Sequence, residues 1–156
     1  MKPAPLDTPA ALMIEEPRVQ CGAIVYRRVP QVEILLVTSR DTGRWVIPKG
    51  GLMAGLTVWD AAAQEAYEEA GVVGVVSQTP LGTYDYLKFL KSGEGVSCRV
   101  TVYPMAVTQR LKNWPERDQR QSQWFRWKQA AEAVHEPDLS ALIRAFGAQT
   151  ERDVGA

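Results

Sequence analysis

Thr57-Val58-Trp59-Asp60-Ala61-Ala62-Ala63-Gln64-Glu65-Ala66-Tyr67-Glu68-Glu69-Ala70-Gly71 holds a complete helix together with both of its ends. Thr57 offers a side-chain oxygen to the first-turn N–H groups, with Asp60 three residues on as its back-bonding partner, and Gly71 supplies the left-handed stop. At about 100° per residue, with Ala62 as origin, Ala62, Ala66, Ala70, Ala63 and Tyr67 cover about 0 to 140°. That arc is the expected buried face. Glu68, Glu65 and Glu69 fall at about 240°, 300° and 340°, so three carboxylates share an arc of about 100° on the opposite side.

Working outward, Pro48-Lys49-Gly50-Gly51 reads as an abrupt loop directly upstream. Before it, residues 19–27 and 32–39 are rich in β-branched and apolar side chains, with Pro30 and Gln31 between them, and Trp45-Val46-Ile47 adds a short third strand. Downstream, residues 72–86 and 99–107 are strand-like, 109–121 form a polar, basic connector, 122–127 form a last strand, and 127–134 and 138–146 form two short helices. Strands on both sides of one long helix, with helices at the end, predict an α/β sandwich with a mixed sheet. The single domain is expected over 18–147. A flexible leader precedes it over 1–17, where Pro3, Pro5, Pro9 and Pro17 remove backbone donors, and a C-terminal tail follows over 148–156.

Bulk composition narrows the chemistry. The net formal charge is zero, so attraction to nucleic acid or an anionic membrane would require a local patch. Cys21 and Cys98 sit among apolar neighbours and read as reduced, buried thiols. His135 is the one histidine, far from either cysteine, which argues against structural zinc and against Ser-His or Cys-His nucleophilic pairs. The chemistry must run mainly on carboxylates. Asp7, Glu15 and Glu16 break up the early apolar residues, so no signal peptide forms and the expected location is the cytoplasm. No apolar run approaches the roughly 18 residues of a membrane span. The five tryptophans sit at strand or helix positions where packing accounts for them.

Like charges at the spacing of Glu65, Glu68 and Glu69 destabilise a helix by a few tenths of a kcal/mol per pair, so the arrangement asks for a counter-ion. Mg2+ suits it, with Mn2+ as a substitute, because these ions take hard oxygen ligands and bridge a few carboxylates to substrate phosphates. Acidic helix faces are often merely solvated, and the trio alone would read that way. The loop changes the reading, because Lys49 and two residues without side chains bring backbone close to a metal or phosphate just ahead of the acids.

Gly50, Glu65 fifteen residues on, then Ala66, Glu68, Glu69, Gly71 and Val72 resemble the Nudix box over 23 residues. That pattern is Gly, five residues, Glu, seven residues, then Arg-Glu-aliphatic-any-Glu-Glu-any-Gly-aliphatic. The resemblance implies a Nudix-type α/β/α sandwich and a hydrolase of pyrophosphate linkages. It implies that Glu65 and Glu69 bind the metal, that the Gly50 carbonyl completes the shell, and that Glu68 is a shared ligand or the general base. Leu56 stands where the family has its first Glu and Gln64 where it has Arg. The two changes remove an acid and a base together and suggest a neutral substitute for a supporting polar link.

Several stretches look like the diphosphoinositol polyphosphate phosphohydrolase branch: Cys21-Gly22-Ala23-Ile24-Val25, Val37-Thr38-Ser39-Arg40, Arg44-Trp45-Val46-Ile47-Pro48, and Trp114 followed by Gln123-Trp124-Phe125. That branch acts on inositol pyrophosphates and dinucleoside polyphosphates. Such phosphorylated small molecules need basic side chains, with Arg40, Arg44, Lys49, Gly50 and Gly51 as the expected substrate contacts and Lys88, Lys91, Arg99, Arg117 and Arg120 as further candidates. The alternatives are an NTP or capped-RNA pyrophosphohydrolase, with no nucleic-acid ligand expected other than capped RNA, and a non-catalytic Nudix-fold sensor. Monomer and homodimer are both open.

Overall fold

The computed structural model describes residues 16–28 and 30–155, so the leader expected over 1–17 lies almost wholly outside the described residues. At the centre of the sheet, β1 (Arg18–Arg28) runs parallel to β7 (Gly95–Arg110), from Arg18 opposite Cys98 to Tyr26 opposite Ala106. On its other side it pairs antiparallel with β2 (Val32–Thr38) near its end and with β4 (Lys49–Gly51) near its start. β2 continues to β3 (Trp45–Val46) and β8 (Ser122–Arg126), and β7 carries β5 (Val72–Val76) and β6 (Gly82–Phe89) along its far edge. One parallel pair among antiparallel ones makes the sheet mixed.

The pleat sorts the apolar residues into two layers. Cys21, Ala23 and Val25 of β1, with Leu35 and Val37 of β2, pack against Ala61, Ala62, Ala66 and Ala70 of α1 (Val58–Ala70). The alternate residues Ile24, Ile34 and Leu36 face the other way, onto Ala130 and Ala131 of α2 (Trp127–Ala133) and Leu139 and Ile143 of α3 (Pro137–Gly155). Strands apolar on both faces are what a sheet covered on both sides requires. The expected α/β/α sandwich is therefore the observed one.

The caps of α1 form as read: Thr57 accepts from the Asp60 N–H at 3.2 Å, and Gly71 adopts φ 66° while its N–H donates to the Tyr67 carbonyl at 3.0 Å. Its buried arc is rotated from the expected one. Ala61 and Glu69 are buried with Ala62, Ala66 and Ala70, whereas Ala63 and Tyr67 are only partly covered. The glutamates therefore do not lie opposite the core but along its border, because β4 and the 111–121 connector cover that flank as well.

Other elements also differ from the expectation. Residues 49–51 are a strand and not a plain loop, since Cys21 opposes Gly50 and Gln20 opposes Gly51. The stretch 72–86 is divided between β5 and β6, and the third strand stops at Val46. The last helix runs on to Gly155 where an end at Phe146 was expected, and Thr150, at 4% exposure, shows that its later turns still face the interior. Among the described residues no helix is long and apolar enough to cross a membrane.

Candidate active site

Between the C-terminal half of α1 and the sheet lies a cleft of about 270 Å³, whose lining includes Gly50, Gly51, Lys49, Glu65, Glu69, Arg40, Arg44, Lys88, Glu116, Arg120 and Glu136. Pairing of β4 with β1 draws the glycine backbone under the helix. A Cβ built on Gly50 would fall 2.3 Å from the Glu65 carboxyl carbon, so no other residue fits there without moving that carboxylate. The Gly50 carbonyl accepts from the Cys21 thiol at 3.7 Å, and burial, then the Glu65 charge, push that thiol up to about 11. Cys21 is thus a protonated donor beneath the loop. Both cysteines are buried and unpaired, as expected.

Glu65 and Glu69 stand together in the cleft. Burial, then the charges of Glu69, Glu68 and Glu116, push the Glu65 carboxyl up to about 7. Glu69 is also raised to about 7, by burial, against the lowering pull of Arg120 and Lys49. Lys49 is lowered, again chiefly by burial, although Glu69 opposes the shift. Its ammonium lies 4.6 Å over the Tyr86 ring. Among the described residues two buried carboxylate oxygens have no hydrogen-bond partner, Glu69 Oε1 and Glu136 Oε1. Free carboxylate oxygens of this kind, in the cleft that Gly50 and Glu65 also line, are hard donors that suit a divalent cation and its waters. Yet no group of three or more His, Cys, Asp or Glu side chains among the described residues is arranged as a ready metal cluster. Donor chemistry fits a metal; a closed coordination cage is not preformed.

Glu68 is close enough for its charge to raise Glu65 but is not among the residues lining the cleft, and Gln64 Nε2, one turn earlier, donates to Glu68 Oε2 at 3.0 Å. Gln64 thereby supplies a neutral polar link, as the sequence suggested, whereas Leu56 does not take part. Leu56 is 45% exposed and lines a shallow apolar groove on the outer side of α1 with Ala63, Tyr67 and Val73.

Of the basic candidates, Arg40, Arg44, Lys49, Lys88 and Arg120 reach the cleft and Lys91, Arg99 and Arg117 do not. Arg99 is spent on an exposed pair with Asp85, and Arg117 donates to Asn113. Arg40 donates to Gln119 at 2.7 Å, which ties the β2–β3 loop to the connector. The connector itself is ordered at both ends: Leu111 and Glu116 donate to the carbonyls of Gly71 and Glu68, and Gln121 exchanges hydrogen bonds with Thr38. It thereby carries Glu116 and Arg120 into the cleft. Arg120, with only 9% of its side chain exposed, bonds Glu116 at 2.9 Å and the Thr38 carbonyl at 3.0 Å and pairs with Glu69 at 3.3 Å. Glu116, Glu136 and Gln20 were not singled out as site residues from sequence; nothing local distinguishes them, since long-range packing brings them here.

The NUDIX domain model matches residues 16–146. Nudix hydrolase 12, mitochondrial, of Arabidopsis thaliana is 36% identical over 121 residues, 76% of this chain but 60% of that protein, so the chain spans about three fifths of this relative's length. Diphosphoinositol polyphosphate phosphohydrolase 3-alpha of Homo sapiens is 30% identical over 123 residues, 76% of this chain and 71% of that one. The crystal structure of a C. elegans Ap4A hydrolase superimposes with a TM-score of 0.61 at 20% identity, covering 86% of this chain and 99% of the other, a likeness of fold.

Proposed function

This chain belongs to the NUDIX domain family, and from that premise we propose that it is a Mg2+-dependent pyrophosphohydrolase that cleaves a diphosphate linkage in a dinucleoside polyphosphate or a diphosphoinositol polyphosphate. One observation carries the reading: the side-chain-free backbone of Gly50 packs against the Glu65 carboxylate, beside Glu69, at the floor of a cleft rimmed by Arg40, Arg44, Lys49 and Lys88. In it Glu65 and Glu69, with the Gly50 carbonyl beside them, would hold the cation. When bound, the ion would polarise a phosphoryl oxygen and lower the pKa of a coordinated water. The basic rim neutralises and orients a chain of phosphates, for which several charge-assisted hydrogen bonds are needed. Glu116 lines the cleft and its charge acts on Glu65 together with that of Glu68, so the two are the candidates to take the proton of the attacking water.

Two observations favour this substrate class. Five cationic side chains line one small cleft, a density that suits a ligand with several phosphates. The human relative named above is a diphosphoinositol polyphosphate phosphohydrolase. The test is a panel of Ap4A to Ap6A, inositol pyrophosphates, NTPs, ADP-ribose and capped RNA with Mg2+ or Mn2+, run with the wild type and Glu69→Gln. Turnover of a dinucleoside or diphosphoinositol polyphosphate that drops at least 100-fold in Glu69→Gln is expected. Turnover unaffected by Glu69→Gln would overturn the metal assignment, and no turnover of any member would favour a sensor that binds without cleaving.

A further inference from the structure

The Nudix-box pattern carries an arginine at the position of Gln64, and in this chain no cation stands there. A guanidinium reaches the same carboxylates from another part of the chain. Arg120 arrives on the connector, 51 residues beyond Glu69 in sequence, and its nitrogens are divided among three partners on three segments: hydrogen bonds to Glu116 Oε1 on the connector and to the Thr38 carbonyl at the end of β2, and an ion pair at 3.3 Å with Glu69 Oε2 on α1. The planar fork sets all three directions at once, which a lysine ammonium on a flexible stem cannot reproduce. With Oε2 of Glu69 held, Oε1 is the oxygen left buried and without a partner.

We propose that Arg120 is the positioning residue of the site, fixing the Glu69 carboxylate through Oε2 so that Oε1 is presented to a divalent cation. This rests on the reading above of Glu69 as a metal ligand. It goes beyond that reading by placing the supporting cation on the connector, with the Thr38 carbonyl as the anchor that fixes the height of the guanidinium. Outer partners that orient a ligand typically change metal affinity 10- to 100-fold when lost.

The test is Mn2+ affinity of the metal-free full-length protein, read from the EPR signal of the free ion, for wild type, Arg120→Lys, Arg120→Met and Glu69→Gln, with thermal melting in EDTA alongside. Arg120→Lys keeps the charge and loses the fork. It should bind Mn2+ about tenfold or more weakly while melting within a few degrees of wild type. Wild-type affinity in Arg120→Lys overturns the inference, because then charge alone suffices. So does tighter binding in Arg120→Met, which would make Arg120 a competitor of the cation. A drop in melting temperature of more than about 10 °C in Arg120→Lys would mark a structural strut and overturns it too. Glu69→Gln keeps the two readings separable: if it binds Mn2+ like wild type the metal assignment falls, and if it loses the ion while Arg120→Lys does not, only the role of Arg120 falls.

Discussion

Gly50→Ala isolates the contact on which the site depends. The added methyl would lie 2.3 Å from both Cδ and Oε2 of Glu65 and 2.6 Å from Oε1, whereas ordinary contact begins at 3.4 Å. The carboxylate must therefore withdraw by 3.4 − 2.3, or 1.1 Å. Gly50 is not among the glycines with positive φ, so alanine adds no backbone strain, and the obstructed atoms are the free end of a flexible side chain. Folding stability should change by less than about 1 kcal/mol. Function should change far more, because a misplacement of about 1 Å costs on the order of 100-fold, or about 2.7 kcal/mol of transition-state stabilisation. The assay is hydrolysis of whichever panel substrate the wild type turns over, with Mn2+ titration and urea unfolding on the same samples. Gly51→Ala is the control for folding and metal binding, since nothing lies within 4 Å of a Cβ at that position. Wild-type turnover and Mn2+ affinity in Gly50→Ala would refute the reasoning, as would the same loss of Mn2+ affinity in Gly51→Ala.

In metal-free protein the Glu65 and Glu69 carboxyls are raised from 4.5 to about 7, so between those values the folded state holds more protons than the unfolded one and stability falls as pH rises. With each pKa unit equivalent to about 1.4 kcal/mol and the two groups sharing one environment, EDTA-treated protein should lose on the order of a few kcal/mol between pH 5 and pH 8; a rise over that window in urea unfolding contradicts this. Gly71→Ala forces a left-handed φ of 66° on alanine and drives its methyl to 2.2 Å from the Trp114 ring, which should cost about 2 kcal/mol or more in urea unfolding. A loss under about 1 kcal/mol would mean that the Trp114 packing is loose.

What sequence made legible was whatever is written locally. The Thr57 cap, the alanine interior and the Gly71 stop lie within one window, so α1 was read almost to the residue. The Gly50-Gly51 pair was not readable as a strand, because glycine has low strand preference and its pairing partners Cys21 and Gln20 lie some thirty residues upstream. The 111–121 segment looked only polar and basic. Its order comes from donating to carbonyls at the end of α1 and from its exchange with Thr38, both long-range, and so Glu116 was missed while Arg120 stood among equals with Arg99 and Arg117. Alternation along β6 gave no way to tell that Lys88 would reach the cleft when Lys91 would not.

The C-terminal end of α1 shows why the site had to be completed from afar. A helix favours cations in its last turn, where the carbonyls are unpaired and the macrodipole is negative, and α1 has none there. It carries Glu68 and Glu69 instead, with Glu65 one turn back, so local electrostatics oppose the helix just where the carboxylates are needed. Two guanidiniums from beyond the helix offset this. Arg110 donates to the Ala70 carbonyl at 2.9 Å and to Ser122 at 2.7 Å, while Arg120 takes Glu69 and Glu116. A local arrangement that costs stability and is held by distant contacts is expected at a functional site, since a surface helix under no such demand would place a lysine or arginine in its own last turn. On this argument the sheet exists, for the site's purposes, to bring the ends of β2 and β7 to the end of α1, and the acids of the helix are usable because the arginines that balance them belong to other elements.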